Sequence, residues 1–140
     1  MLMNRILGLD HGDRRIGVAI SDPLKIIAKP LKTIDLLKTK NIFHDINEII
    51  NKYFVCKIIV GLPKTLKDEF SEQTVKVMKF VDLLKENIEI DVDVYDERLT
   101  SKIAKKSLIF QGIKTGHNKS DVDMTAAAIF LQNYLDGIKK

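Results

Sequence analysis

The stretch RILGLDHGDRRIGVAISD, residues 5–22, holds two apolar runs separated by a short polar turn. Residues 5–10 and 15–20 read as two β-strands, and the glycine-containing turn between them makes a hairpin of the pair. The first run ends in Asp10 and the second in Ser21 and Asp22. A carboxylate at the end of a buried strand is costly to desolvate unless a positive charge offsets it. Asp10 therefore raises the question of its counter-charge.

Working outward, KPLKTI at 29–34 reads as a third strand, and Pro30 puts it at a sheet edge or a strand start. Residues 40–53 place Ile42, Phe43, Ile46, Ile49, Ile50 and Tyr53 at helical spacing. CKIIVGLP is a buried strand closed by Gly61 and Pro63. A second amphipathic helix is expected over 71–86, with Val75, Met78, Val81 and Leu84 as its apolar stripe. IEIDVDVYDE alternates as a strand over 90–97. A helix at 100–111 ends at Gly112, and a last one spans 121–137. A leading hairpin followed by strand–helix alternation implies one α/β domain over 1–140, built on a mixed sheet. No G-x-G-x-x-G follows the first strand and no G-x-x-x-x-G-K-[ST] occurs, which excludes a dinucleotide fold and a P-loop.

Composition narrows the class further. Of 140 residues, 45% are hydrophobic and 30% charged, as in globular rather than disordered chains. No apolar run is long enough for a bilayer, and Asp10 and Asp13 interrupt the N-terminus before a signal sequence can form. The single cysteine, Cys56, excludes an internal disulfide and reads as a small core residue. A cytoplasmic location is expected. The histidines and Cys56 lack zinc-ligand spacing.

Three acidic positions stand where elements end or begin: Asp10, Asp96-Glu97, and Asp121 with Asp123. Functional groups of α/β sheets gather where strands end, so these positions can converge. Hard carboxylate oxygens suit Mg²⁺ or Mn²⁺. Each acid also has a purely structural reading. Asp10 can brace the turn, Glu97 and Arg98 can form a surface pair, and Ser120 can cap a helix whose third position is Asp123. Ala126, Ala127 and Ala128 follow Asp123 and leave that helix without bulk, so it can approach the strand of Asp10 closely.

The net charge is +4. Between Leu99 and Ser120 there is no acid, while Lys102, Lys105, Lys106, Lys114 and Lys119 fall there and Arg98 just precedes it. Pro23–Ile34, also acid-free, carries Lys25, Lys29 and Lys32. Either these are solvated faces, or they bind an anionic partner.

GLDHGDRRIGVAISD, IIVGLP, YDERLTS and NKSDVDMTAAAIFLQNYL together, in this order and spacing, resemble the YqgF (RuvX) family across essentially the whole chain. These bacterial RNase H-like proteins are associated with pre-16S rRNA processing and with Holliday junction resolvases. The resemblance implies a five-stranded mixed sheet whose first three strands are antiparallel, flanked by helices. It also implies that Asp10, Glu97 and Asp123 are the catalytic and metal-binding acids of a two-metal nuclease. Such a pair of ions would activate the attacking water and stabilise the leaving 3′ oxygen. After VGLP the chain departs from the family pattern, with KTLKDEFSEQ where an Asn/Asp-Gly turn is usual, and Ser101 replaces a common Thr.

For a nucleic-acid substrate, Arg14, Arg15 and Arg98 are the candidate phosphate forks, and Lys102, Lys105, Lys106, Lys114 and Lys119 the non-specific contacts. Arg14 and Arg15 read equally as a soluble hairpin tip, and His117 as a loop histidine or a substrate contact. Aromatic content of 6% favours backbone and shape recognition over base stacking. The expected partner is pre-16S rRNA or the pre-ribosome, with branched DNA as the alternative. A junction resolvase would need two sites in a dimer, and the oligomeric state stays open. A phosphate-loop ATPase of the actin type would need a second domain. A non-catalytic module on the same fold is the other rival.

Overall fold

The computed structural model describes residues 4–62, 72–96 and 119–138. In chain order the elements are β1 (Arg5–His11), β2 (Arg15–Ser21), β3 (Ala28–Asp35), α1 (Ile42–Tyr53), β4 (Val55–Leu62), α2 (Glu72–Asn87), β5 (Asp91–Asp96) and α3 (Lys119–Ile138). The strands form one sheet in the order β3-β2-β1-β4-β5, antiparallel through β1–β3 and parallel through β1, β4 and β5. This is the mixed sheet the hairpin implied. The helix expected at 100–111 and the KTLK segment after Leu62 lie outside the described residues.

Strand alternation divides the apolar residues between two faces. Leu7 and Leu9 of β1, Ile16, Val18 and Ile20 of β2, and Ile58, Val60 and Leu62 of β4 form one core with α1 and α2. The opposite face carries Ile6, Ala19 and Ile59, packed against Ala127, Phe130, Leu131 and Leu135 of α3. Gly8 and Gly17 alternate onto that same face, so the side chains toward α3 are fewer and smaller. A register shift between Arg5 and Ile6 opposite β4 leaves Cys56 as an extra residue, and it packs, half-buried, on the α3 side.

Local chemistry accounts for the element ends. Asn41 caps α1 by accepting from the backbone of Phe43 at 3.0 Å and His44 at 3.2 Å. The helix closes at Phe54, whose φ of 58° is left-handed. β3 is an edge strand, one of the two places Pro30 allows, and its register against β2 shifts next to that proline.

Two helix expectations need correction. Val75 and Met78 of α2 are exposed, and the buried stripe is Thr74, Val77, Phe80, Val81 and Leu84. The three-residue spacing of Val75 and Met78 set the phase wrongly, because Thr74 and the larger Phe80 are the residues buried at that level of the helix. The last helix starts at Lys119, so Ser120 lies inside it rather than capping it.

The β2–β3 loop is organised by Asp22. Its carboxylate accepts from the backbone of Leu24 (3.2 Å), Ile26 (2.7 Å) and Ile27 (2.8 Å). These bonds, Ile27's first, hold the Asp22 carboxyl below its ordinary value of 3.8. A depressed folded-state value stabilises the protein above the ordinary carboxylate range and loses that contribution as pH falls through it. Asp22→Asn is expected to melt below wild type at neutral pH, with the gap closing on acidification. Thermal melts of both proteins across that range test this.

Candidate nucleic-acid and metal site at the carboxyl end of β1

Asp10 is the penultimate residue of the central strand and is half-buried. Alternation puts it on the α3 face with Gly8, and across the β1–β2 ladder it stands opposite Gly17, which has no side chain to crowd it. α3 runs antiparallel to β1. Near its carboxyl end the Tyr134 hydroxyl bonds Lys57 Nζ at 3.0 Å, and Lys57 pairs in register with Ile6. Further toward its amino end, Leu131 and Ala127 pack over Gly8. Asp123, placed by its backbone one turn before Ala127, thus lies toward the β1 end that carries Asp10.

The spacing is tight. A Cβ on Gly8 would stand 3.2 Å from Leu131 Cβ and 3.4 Å from the Ala127 carbonyl oxygen. The alanines after Asp123 do permit the close approach their size suggested, with Ala127 and Ala128 both buried.

β5 ends at Asp96, opposite Leu62, and Tyr95 faces α3, its ring 6.3 Å from that of Phe130. Glu97 follows Tyr95 by two residues and lies outside the described residues, as do Arg98, Lys102, Lys105, Lys106, Lys114 and His117. Lys119 and Asp121 sit in the first turn of α3. Among the described residues no three metal-ligating side chains cluster.

The hairpin tip is fixed on three sides. Gly12 N–H donates to the Arg15 carbonyl at 2.8 Å, Leu36 N–H to the Arg14 carbonyl at 2.8 Å, and Gln73 Nε2 to the His11 carbonyl at 3.0 Å. Arg14 projects an exposed guanidinium 3.8 Å from Asp35, and Lys76 of α2 lies 3.2 Å from Asp13. Arg15 is half-buried and makes its own contacts.

His11 and Gln73 escaped the sequence reading. The His11 ring packs on Phe80 with centroids 4.5 Å apart, on the face opposite Asp10, and its Nδ1 is buried without a partner among the described residues. Burial, ahead of its own backbone hydrogen bond and nearby charges, holds the imidazole below its ordinary range. The available signal was strand parity: position 11 must face the core that position 10 does not.

A mixed sheet of this order, with an acid next to the end of its central strand and a helix packed across that face, defines an RNase H-like domain. The fold is similar to RuvC of Thermus thermophilus bound to a Holliday junction (TM-score 0.59, 16% identity, 96% of this chain and 95% of that one). It is also similar to the fowlpox virus resolvase in a junction complex (TM-score 0.55, 16% identity, 97% and 99%). A family model described as "RuvX: Holliday junction resolvase" matches residues 4–137. A Clostridium tetani protein named "Putative pre-16S rRNA nuclease" is 46% identical over 134 residues, 96% of this chain and 97% of the relative. A Clostridium botulinum protein of the same name is 41% identical over 136 residues, 97% and 99%. The chain belongs to the RuvX family. It is a nuclease, hydrolysing phosphodiester bonds of nucleic acid.

The turn that carries Asp10 tolerates no side chain at position 12, where a Cβ would sit 2.9 Å from the Arg15 carbonyl oxygen. Gly12→Ala is expected to destabilise the fold by about 1–3 kcal/mol, a typical cost of local backbone strain. Urea unfolding of the two proteins measures it.

Proposed function

We propose that this chain, as a single RNase H-like domain over 1–140, is a divalent-metal-dependent endonuclease acting in the cytoplasm on the 5′ region of pre-16S rRNA. Asp10, Glu97 and Asp123 are its catalytic acids and metal ligands. The observation that carries the reading is the packing of α3 on Gly8, which brings the backbone of Asp123 toward the β1 end that bears Asp10. The names of the clostridial relatives support the RNA substrate.

The donor set fits a hard cation. Asp10 supplies carboxylate oxygens from the central strand of the sheet, opposite a glycine, and the two other candidates are carboxylates as well. When bound, Mg²⁺ or Mn²⁺ ions polarise the scissile phosphate, activate water and stabilise the leaving oxygen. The chain's own part is to hold those acids in fixed relation and to seat the phosphate backbone. Arg14 and Arg15 at the hairpin tip lie close in sequence to Asp10 and offer forked donors to it, with Arg98 as the third. Lys102, Lys105, Lys106 and Lys119 supply the salt-dependent, sequence-independent share of binding.

The direct test incubates the purified protein with a 5′-extended pre-16S rRNA fragment and with a mobile four-way DNA junction, each with Mg²⁺, Mn²⁺ or EDTA. RNA cleavage that requires metal and falls at least about 100-fold in Asp10→Asn is expected. Paired nicks in the junction, without RNA cleavage, would make the protein a dimeric resolvase instead. Tight binding without cleavage of either would leave a non-catalytic module. In the same assay Arg14→Ala is expected to weaken RNA binding and reduce its salt slope by about one, read by filter binding across a salt series.

A further inference from the structure

We propose that Gly8 is a positioning residue for the acidic site: by carrying no side chain it sets how closely α3 lies on β1, and hence the separation of Asp10 from Asp123. The inference rests on the proposed reading of those two acids as metal ligands.

Three observations combine. Gly8 and Asp10 share the α3 face of β1, two residues or about 6.5 Å apart along the strand. Ala127 and Asp123 are four residues apart, about 6 Å along the helix axis. The helix runs antiparallel to the strand, as the Lys57–Tyr134 bond at one end and the Gly8 contacts further along require. Starting from the Gly8–Ala127 contact, both steps therefore lead the same way and by nearly the same distance. The gap at Gly8 is carried forward to the gap between Asp10 and the backbone of Asp123.

That gap has no slack. Adding one carbon at Gly8 puts it 3.2 Å from Leu131 Cβ and 3.4 Å from the Ala127 carbonyl oxygen, both parts of the helix framework rather than ends of flexible side chains. The helix must retreat by a few tenths of an ångström. Ligand sets for a small divalent ion tolerate little such displacement, and loosening a supporting contact typically weakens metal binding about 10–100-fold.

The test measures Mn²⁺ binding to the full chain by calorimetry, together with circular dichroism and thermal melting. Gly8→Ala is the first variant. Ala127→Val adds bulk to the fully buried Ala127, in the tightly packed α3 interface beside Gly8, and decides the question by the same reading if Gly8→Ala does not fold. Leu135→Ala, which hollows the far end of the α3 interface, controls for general destabilisation. The expected result is a folded Gly8→Ala, or Ala127→Val, whose Mn²⁺ dissociation constant rises about tenfold or more while Leu135→Ala keeps the wild-type value. Unchanged affinity in the folded variant would overturn the proposal, and so would an equal loss in Leu135→Ala. Asp10→Asn separates the two levels: if it too binds Mn²⁺ normally, the metal-site reading fails rather than the role of Gly8.

Discussion

The contact between α3 and β1 at Gly8 is the constraint on which the rest of the arrangement depends. The strand offers no side chain of its own there, so Leu131 and the Ala127 carbonyl of the helix lie directly against its backbone. The remainder of the helix is secured at its other end. Gln132 accepts from the Ala28 N–H and donates to the Ile26 carbonyl, each at 2.8 Å, and Tyr134 bonds Lys57. With its middle pressed onto Gly8 and its carboxyl half bonded to β4 and to the β2–β3 loop, α3 can only present its amino end at the Asp10 end of the sheet.

The two sheet faces divide the labour accordingly. The face toward α1 and α2 is filled by branched side chains, nearly all fully buried, and buries most of the apolar surface. Freed from that duty at its Asp10 end, the α3 face can be lined there by glycine and alanine and admit the helix backbone closely. Asp10 sits on the central strand, which is hydrogen-bonded to β2 on one side and β4 on the other. The turn beyond it is tied by backbone bonds from Gly12 and Leu36 and by Gln73. A functional side chain mounted in this way loses little entropy when it engages a ligand.

Much of this was legible in the residues. Two apolar runs about a glycine turn sufficed for β1 and β2 and alternation for β5, and Pro30 narrowed β3 to a sheet edge or a strand start, because proline cannot donate to a ladder. Ala126–Ala128 announced a close helix approach. The phase of α2 was not legible. Val75 and Met78 are as apolar as Val77 and Phe80, and only the sheet's position chooses between two overlapping stripes. The start of α3 was misread because Ser120 suits a cap by type, whereas the backbone is already helical at Lys119. The support given by Gln73 to His11 spans 62 residues, and no local pattern encodes a contact so distant.

Charge at the hairpin tip bears on how a phosphate would be received. In the proposed site Asp10, Glu97 and Asp123 would gather negative charge at one end of the sheet, which by itself repels a phosphodiester, even though a helix amino terminus favours anions. Two cations at the hairpin tip already have acidic neighbours: Arg14 is 3.8 Å from Asp35, and Lys76 of α2 is 3.2 Å from Asp13. Arg14, Lys76 and Asp13 have exposed side chains and Asp35 is half-buried, and pairs held at the surface in this way contribute little to stability. Exchanging Asp35 for a phosphate oxygen therefore costs Arg14 little, and the bidentate geometry of a phosphate improves on a contact at 3.8 Å. Exposed surface cations of this kind can recruit a nucleic-acid backbone, but they would not hold it against the three carboxylates of the proposed site. In the proposed site that second task falls to divalent ions, so recruitment and chemistry are expected to separate, the first sensitive to salt and the second to metal.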